Sequence, residues 1–220
     1  MNIFDPLNLI LIGVAGFVFW RLKSVLGTRT GLERPPVDPF ARPEPPAAPK
    51  TIPLPGEKPP EVWQGHAPEG SPLAAALAGI AAKDAKFTVP WFLDGARAAY
   101  EMIVTAFAAG DRAGLEPLLS KDVLADFSAA IEARQKQGET LESKLVTIRE
   151  ASITEARLEG RRASLTVKFV SDFIQVTKNK AGEVLSGDAQ RIQEITDLWT
   201  FERDMGARDP NWKLVATDSA

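Results

Sequence analysis

The sequence predicts an α+β domain over residues 72–220, with helices packed on one face of a curved antiparallel sheet. Three observations carry this reading. Apolar residues recur at spacings of three and four from Leu73 to Ile131, β-branched and aromatic residues alternate with polar ones from Leu141 to Thr217, and glycines or turn sequences separate the segments. A block of helices followed by a block of strands, without βαβ alternation, is the layout of that class.

The first helix is predicted from Pro72 to about Lys83, with Ser71 as its N-cap and Leu73, Leu77, Ile80 and Ala81 on one face. A longer one runs from about Val89 to Ala109, where Phe92, Ala96, Ala99, Tyr100, Ile103, Val104 and Phe107 form the apolar stripe and Gly110 is the stop. Residues 111–119 read as a turn-rich connection. The third helix starts at Ser120, places Asp122 in its positive first turn, turns Val123, Leu124, Phe127 and Ile131 inward, and ends at Gly138. Strands are expected near 141–154, 161–177, 190–203 and 212–217, with turns at Glu159-Gly160, Asn179 to Gly182 and Asp209-Pro210-Asn211. Period-two alternation places Ala163, Leu165, Val167 and Phe169 on one face, and likewise Ile195, Asp197, Trp199 and Phe201. Strands of this length must curve, and a curved sheet closed by helices leaves a concavity.

Thirteen of the seventeen prolines fall between Pro35 and Pro72, which separates this domain from an apolar N-terminal segment. In residues 1–27 the run from Leu7 through Leu9, Ile10, Leu11, Ile12, Val14, Phe17, Val18 and Phe19 to Trp20 has Asn8 as its one strongly polar interruption. Counted back to Ile3, it has the length at the lower limit of a membrane-spanning helix. A cleavable signal peptide carries its positive charge before the apolar run and small residues after it. Here Arg21 and Lys23 follow the run, with bulky Phe17, Phe19 and Trp20 where a cleavage site would lie. The expectation is therefore a retained single-pass anchor, its N-terminus outside, its basic flank and the C-terminal domain in the cytoplasm, and Trp20 at headgroup level. Residues 28–71, in which PPVDPFARPEPPAAPK and PLPGEKPP stand out, read as a disordered, extended proline-rich stalk. Phe40, Ile52, Leu54 and Trp63 are its apolar exceptions, either short docking motifs or isolated linker side chains.

Composition excludes several chemistries. With no cysteine and His66 as the single histidine, the chain has no disulfide framework, thiol nucleophile or zinc ribbon, and no site that needs two imidazoles. A net charge of -3 argues against a broad cationic footprint for nucleic acid. No phosphate-binding loop, dinucleotide fingerprint or metalloprotease motif is present, so no cofactor or metal is expected.

Three stretches, FLDGARAAYEMIVTAFAAGDRAGLEPLLS (Phe92 to Ser120), FVSDFI (Phe169 to Ile174) and ITDLWTFERDMGARDPNWKLVAT (Ile195 to Thr217), resemble the Tim forty-four-like (Tim44-like) domain family. The likeness covers about residues 77–218. Anchor, proline-rich stalk and terminal domain together resemble the bacterial TimA-type membrane proteins of the family most. The resemblance implies a cystatin-like, nuclear-transport-factor-two-like fold around an apolar pocket. It also implies a scaffold at a membrane, with protein partners such as a translocase, a chaperone or a membrane complex. In the mitochondrial relatives the helices preceding the domain contact acidic lipid. The corresponding residues here, Leu73 to Phe87, carry Lys83 and Lys86 and little other basic charge.

Within such a fold a pocket carboxylate and a tyrosine form the candidate reactive pair. Strand parity sets Asp197 beside Ile195, Trp199 and Phe201, and Tyr100 on the long helix can approach it. The alternative is a structural acid that pairs with Arg97 or Arg203 or is satisfied by other donors. Asp172 and Asp188 are weaker candidates near strand ends. The candidate pocket is thus Phe92, Tyr100, Val104, Phe169, Asp197, Trp199 and Phe201, for partner recognition or for a small apolar ligand. Arg157, Arg161 and Arg162 around one hairpin form a candidate contact for lipid headgroups or an acidic partner.

Overall fold

The computed structural model describes residues 61–207 and 209–219. Helices α1 (Pro72–Lys83), α2 (Val89–Ala109), the single turn α3 (Arg112–Leu115) and α4 (Lys121–Gln137) precede strands β1 (Thr140–Glu159), β2 (Arg162–Lys178), β3 (Val184–Gly187), β4 (Gln193–Asp204) and β5 (Lys213–Ser219). All strand pairings are antiparallel, in the order β1-β2-β4-β5, with β3 paired to the last residues of β2. This is the expected α+β architecture, helices on one side of a curved antiparallel sheet.

Local chemistry explains the helix bounds. Ser71 Oγ accepts from Ala74 N at 3.1 Å, Thr88 Oγ1 from Trp91 N at 3.3 Å and Ser120 Oγ from Val123 N at 3.3 Å, each satisfying an otherwise orphan donor of a first turn. Gly110 and Gly138 end α2 and α4 at φ of 72° and 69°, a left-handed conformation that costs a residue with a Cβ roughly 1–2 kcal/mol. Arg134 on α4 donates to the last carbonyls of α2, Phe107 O at 2.8 Å and Ala108 O at 2.9 Å, and lies over the Phe107 ring. A cation at that end also complements the negative pole of the α2 dipole.

β1 is bent by design of its register. Its pairing with β2 slips by one residue between Leu145 and Thr147, between Ile148 and Glu150, and between Ile153 and Glu155. Each bulge inserts a residue and turns the strand. The residues facing the helices are consequently Leu141, Ser143, Leu145, Ile148, Ala151, Ile153, Ala156 and Leu158, so that β2 residues from Ala163 to Phe173 on that face meet an apolar partner on β1. A strict period of two breaks at each slip. The strand accordingly continues to Glu159, past the expected end at Thr154.

On this concave face α2 lies with Phe92, Ala96, Tyr100 and Ile103 buried, each large side chain worth on the order of 1.5–3 kcal/mol of transfer free energy. The outer face of the sheet is polar, with Thr166 and Thr200 hydroxyls 3.0 Å apart and the pairs Lys168–Glu150 and Arg162–Glu202. The edge at β5 is partly covered by the chain entering α4: Leu214 N donates to Leu118 O, and Ser120 N to Leu214 O, both at 2.9 Å.

Two small elements depart from expectation. α3 lies inside the segment read as turns, where the Asp111 carboxylate accepts from Gly114 N at 3.0 Å and starts a helical turn. β3 consists of four exposed residues, so it has no buried face to show in an alternation. Residues 1–60, which hold the expected anchor and most of the expected stalk, lie outside the described residues. Residues 61–71, expected as stalk, fold as turns, and Val62, Trp63 and Ala67 pack against the hydrophobic core. Trp63 is therefore not an isolated linker side chain, because it packs half-buried against the core. His66 beside it is exposed.

One ion pair joins the helices to the sheet from the inner side. Arg203 Nη1 donates to Asp84 Oδ2 at 2.8 Å, with 11% and 19% of the two side chains exposed. Hydrogen bonding from Arg203, then from the Lys86 amide, holds the Asp84 carboxyl below its usual value of 3.8. A depressed carboxylate pKa contributes stability above the unfolded value and loses it as pH falls through the folded one. Arg203→Met is expected to destabilise by about 1.5–3 kcal/mol in urea unfolding at neutral pH, the range for hydrogen bonds to charged groups. In a melting series, the Tm deficit of Asp84→Asn relative to the native chain should be full at pH 6 and shrink progressively below pH 3.8.

Candidate functional site

The concave face holds two separate hollows because aromatic side chains fill the space between them. At one end Phe92 from α2 meets Phe201 on β4 (6.1 Å between centroids), Trp212 (5.0 Å) and Phe87 (6.2 Å). At the other, Tyr100 stacks on Phe169 at 4.4 Å and touches Trp199 at 4.5 Å. Trp199 and Phe201, 6.4 Å apart along β4, join the two groups. The single expected pocket is thereby divided. Tyr100, Val104, Asp197 and Trp199 line one cavity, Phe92 and Phe201 line another, and fully buried Phe169 belongs to the packing between them.

The inner cavity, about 300 Å³, lies between α2, α4 and the sheet. Ile103, Val104 and Phe107 come from α2, Phe127 from α4, and Phe173, Ile195 and Trp199 from β2 and β4. Its polar groups are few. Tyr100 Oη donates to Asp197 Oδ2 at 2.6 Å, and on the far wall Gln175 Nε2 donates to Ser143 Oγ at 2.9 Å. The register explains the first pair: Asp197 stands opposite Phe169 on β2, and Phe169 is the ring on which Tyr100 stacks. Neither arginine considered as a partner for Asp197 forms that pair, since Arg203 binds Asp84 and Arg97 lies 3.6 Å from Asp94 on its own helix.

Tyr100 is completely buried. Burial first, then the hydrogen bond to the Asp197 carboxylate, pushes its phenol far above the ordinary value of 10, with a smaller opposing effect of Ser171. Ser171 Oγ is buried and makes no hydrogen bond within 3.5 Å. The phenol therefore stays protonated and acts as a donor that orients the carboxylate at the cavity wall. Sequence reasoning passed over Gln175 and Ser143. Odd-numbered parity along β2 from Phe169 through Phe173 was the signal that would have placed Gln175 on this face.

The outer groove, about 310 Å³, is open to the surface between α2, the α3–α4 connection and the β4–β5 loop. Its α2 wall is Trp91, Gly95, Ala99 and Met102, a stripe of large and small residues, and Pro117, Leu118, Pro210 and Trp212 face it. Trp91 is 55% and Met102 50% exposed, and they are among the few large apolar residues in that state. Neither was singled out from sequence, since each lies next to the buried stripe of α2 and reads as its margin.

The hairpin arginines are not an unpaired cationic patch. Arg157 pairs with Glu155 at 3.1 Å, Arg161 with Asp204 at 3.1 Å and Arg162 with Glu202 at 3.2 Å, all exposed. β4 supplies the carboxylates of Arg161 and Arg162, which a reading along the chain does not reveal, whereas Glu155 lies two residues from Arg157 on β1 itself. Asp172 is buried and holds Arg149 at 2.8 Å, which in turn reaches Glu194 at 2.9 Å on the outer face. Asp188 accepts from Gln190 N at 2.8 Å in an exposed turn. Among the described residues no group of three or more metal-ligating side chains comes together, and no helix is long and apolar enough to cross a membrane.

The family model for the Tim44-like domain matches residues 73–219. The mitochondrial import inner membrane translocase subunit TIM44-1 of Arabidopsis thaliana is 25% identical over 141 residues, 61% of this chain and 30% of that protein. The Caenorhabditis elegans translocase subunit tin-44 is 26% identical over 116 residues, 51% of this chain and 27% of that one. This chain thus matches less than a third of the length of either relative. Among solved structures, the intermembrane space region of the chloroplast protein ARC6 superposes with a TM-score of 0.42 at 11% identity, over 58% of this chain and 95% of that one.

Tyr100 is the single tyrosine of the chain, so ultraviolet difference titration reports it alone. The expected outcome is no phenolate signal near pH 10 while the domain is folded, and its appearance together with unfolding at higher pH. A raised phenol pKa contributes stability that is complete below the unfolded value and lost as pH rises through the folded one. Tyr100→Phe, which keeps the ring stacking, should cost about 1.5–3 kcal/mol in urea unfolding at neutral pH.

Proposed function

The chain belongs to the Tim44-like domain family, and from that premise we propose that it is a non-enzymatic, membrane-anchored adaptor or scaffold. In this reading the domain binds protein partners at a membrane and serves protein translocation or the assembly of membrane complexes. The two relatives named above are by name subunits of a mitochondrial inner-membrane import translocase, and that supports the direction of the reading. Residues 1–27 would anchor the chain in a bacterial inner membrane, N-terminus outside and domain in the cytoplasm, on the strength of the apolar run and the basic flank at Arg21 and Lys23. The proline-rich stretch would act as a spacer that raises the effective concentration of the domain near membrane partners.

The observation that carries the adaptor reading is the outer groove. Exposed tryptophan and methionine at the margin of an apolar hollow are residue types enriched where proteins meet, and the small Gly95 and Ala99 between them let a partner backbone approach. The hairpin arginines, each held by a carboxylate, give less support to a lipid contact than their sequence position did.

A second reading, a tethered binder of small apolar ligands or an enzyme using Asp197 and Tyr100, is favoured by the hydrogen-bonded pair at the wall of the inner cavity.

Photo-crosslinkers at positions 91 and 102 of the full chain in membranes test the adaptor reading. They should trap a discrete protein that a crosslinker at Thr200, on the outer sheet face, does not. The same product should be lost, or fall at least about tenfold, when residues 1–27 are removed. Equal yields from all three positions would count against the groove, and unchanged yield without the anchor against tethering.

A further inference from the structure

β1 stands at one end of the strand order β1-β2-β4-β5, and among the described residues it pairs with β2 alone. It is the longest strand of the sheet, 20 residues, and an unpaired edge of that length offers a row of backbone donors and acceptors to another chain. Natural edges are commonly blunted by charges and bulges, and β1 carries both. Its charges, however, are ordered about a centre. Outward from the Arg149-Glu150 step, Arg149 answers Glu150, Lys144 answers Glu155 and Glu142 answers Arg157, each with the opposite sign at the same distance. The remaining charge, Glu159, answers Thr140. We propose that a second copy of this chain adds its own β1 to this edge, antiparallel and related by a two-fold axis through the central bulge. In that register every one of those three charge pairs forms between the copies, and the symmetry makes each of them twice. A strand of unrelated sequence would have to supply the complement at each position, whereas a second copy carries it already. The proposal does not depend on the adaptor reading, since no described residue of β1 lines the outer groove.

Such a register must match faces as well as charges, because side chains opposite each other in an antiparallel pair lie on the same side of the sheet. A regular strand cannot do this about a step between successive residues, which point to opposite faces. The bulges of β1 remove the obstacle. Arg149 is the extra residue between Ile148 and Glu150, and both members of the central step point to the outer face, Arg149 to Asp172 and Glu194, Glu150 to Lys168. Before it, Glu142 and Lys144 alternate with the inward Leu141, Ser143 and Leu145 and so share that outer face. After it, Glu155 and Arg157 lie on the same face beside Thr166 and Thr200. The inner face matches too, with Leu141 opposite Leu158, Ser143 opposite Ala156 and Ile148 opposite Ala151. Contacts within one chain leave these charges open to a second partner: Arg157 and Glu155, paired to each other, are 69% and 59% exposed, and Lys144 is exposed. Val146, the extra residue of the first slip and 43% exposed, gains the added strand as a neighbour.

The test uses the full chain, whose lack of cysteine lets introduced thiols report the register. Thr147 and Ser152, uncharged and on the outer face, fall opposite each other across the axis. Chains with Thr147→Cys co-expressed with chains with Ser152→Cys should give a disulfide-linked dimer under a mild oxidant, at a yield at least about fivefold above either variant alone, because like positions lie too far apart to bridge. In sedimentation of the detergent-solubilised chain, Lys144→Glu should raise the dimer Kd at least about tenfold, since it sets two carboxylates opposite each other at both symmetric places. Adding Glu155→Lys to that variant should return the Kd to within about threefold of the native value. If Lys144→Glu shows no cooperative melting, Arg157→Glu with and without Glu142→Arg runs the same cycle. A native chain that is monomeric at about 100 μM would overturn the proposal. So would a dimer whose Kd neither charge reversal changes, or crosslinking as strong in Thr147→Cys alone as in the mixture.

Discussion

β1 and β2 pair over almost their whole lengths, and a flat ribbon of that span would leave the apolar side chains of α2 with nothing to close around. Three one-residue slips in β1 remove the difficulty. Each bends the strand toward the helices and at the same time re-aims the next side chain, so the inward series Leu145, Ile148, Ala151, Ile153 and Ala156 stays apolar through the bend. The concave face is therefore a consequence of where β1 carries extra residues. The seat for α2, the depth of the inner cavity and the separation of the two hollows all follow from that curvature.

Within the concavity, aromatic packing decides what remains open. Tyr100 stacks on Phe169 and leans on Trp199, which fills the middle of the bowl and leaves space only to either side. On the α4 side the space carries a carboxylate and the hydrogen-bonded Gln175–Ser143 pair. On the Trp212 side it is lined by apolar residues apart from Asn211. One packed cluster thus gives two hollows of similar volume and different lining. The convex face offers neither, because its charges are matched across the strands, as with Lys168 and Glu150 or Arg162 and Glu202.

Much of this architecture is legible along the chain. Ser71, Ser120, Gly110 and Gly138 mark helix ends through local hydrogen bonding and backbone freedom, which depend on a few neighbouring residues. Alternation on β2 and β4 reads correctly because neither strand is interrupted in their mutual register from Arg162 to Phe173. The approach of Tyr100 to Asp197 is also foreseeable, since helix and strand periodicity each point one polar group into the same apolar interior.

What the sequence by itself determined is the content of each face: which residues turn inward, where each helix begins and stops, and that Asp197 would be an acid among aromatics. Only the tertiary structure decided how those faces meet. Bulges in β1 shift parity by one without a local signature, so the strand length and its inward set had to come from pairing. Carboxylates that hold Arg161 and Arg162 are more than forty and exactly forty positions away along the chain in the cross-strand register, at Asp204 and Glu202. The division of one expected pocket into two depends on the contacts of Phe169, Tyr100 and Trp199, which come from three different elements. Periodicity is a property of neighbours in sequence, whereas volume, charge pairing and enclosure belong to neighbours in space.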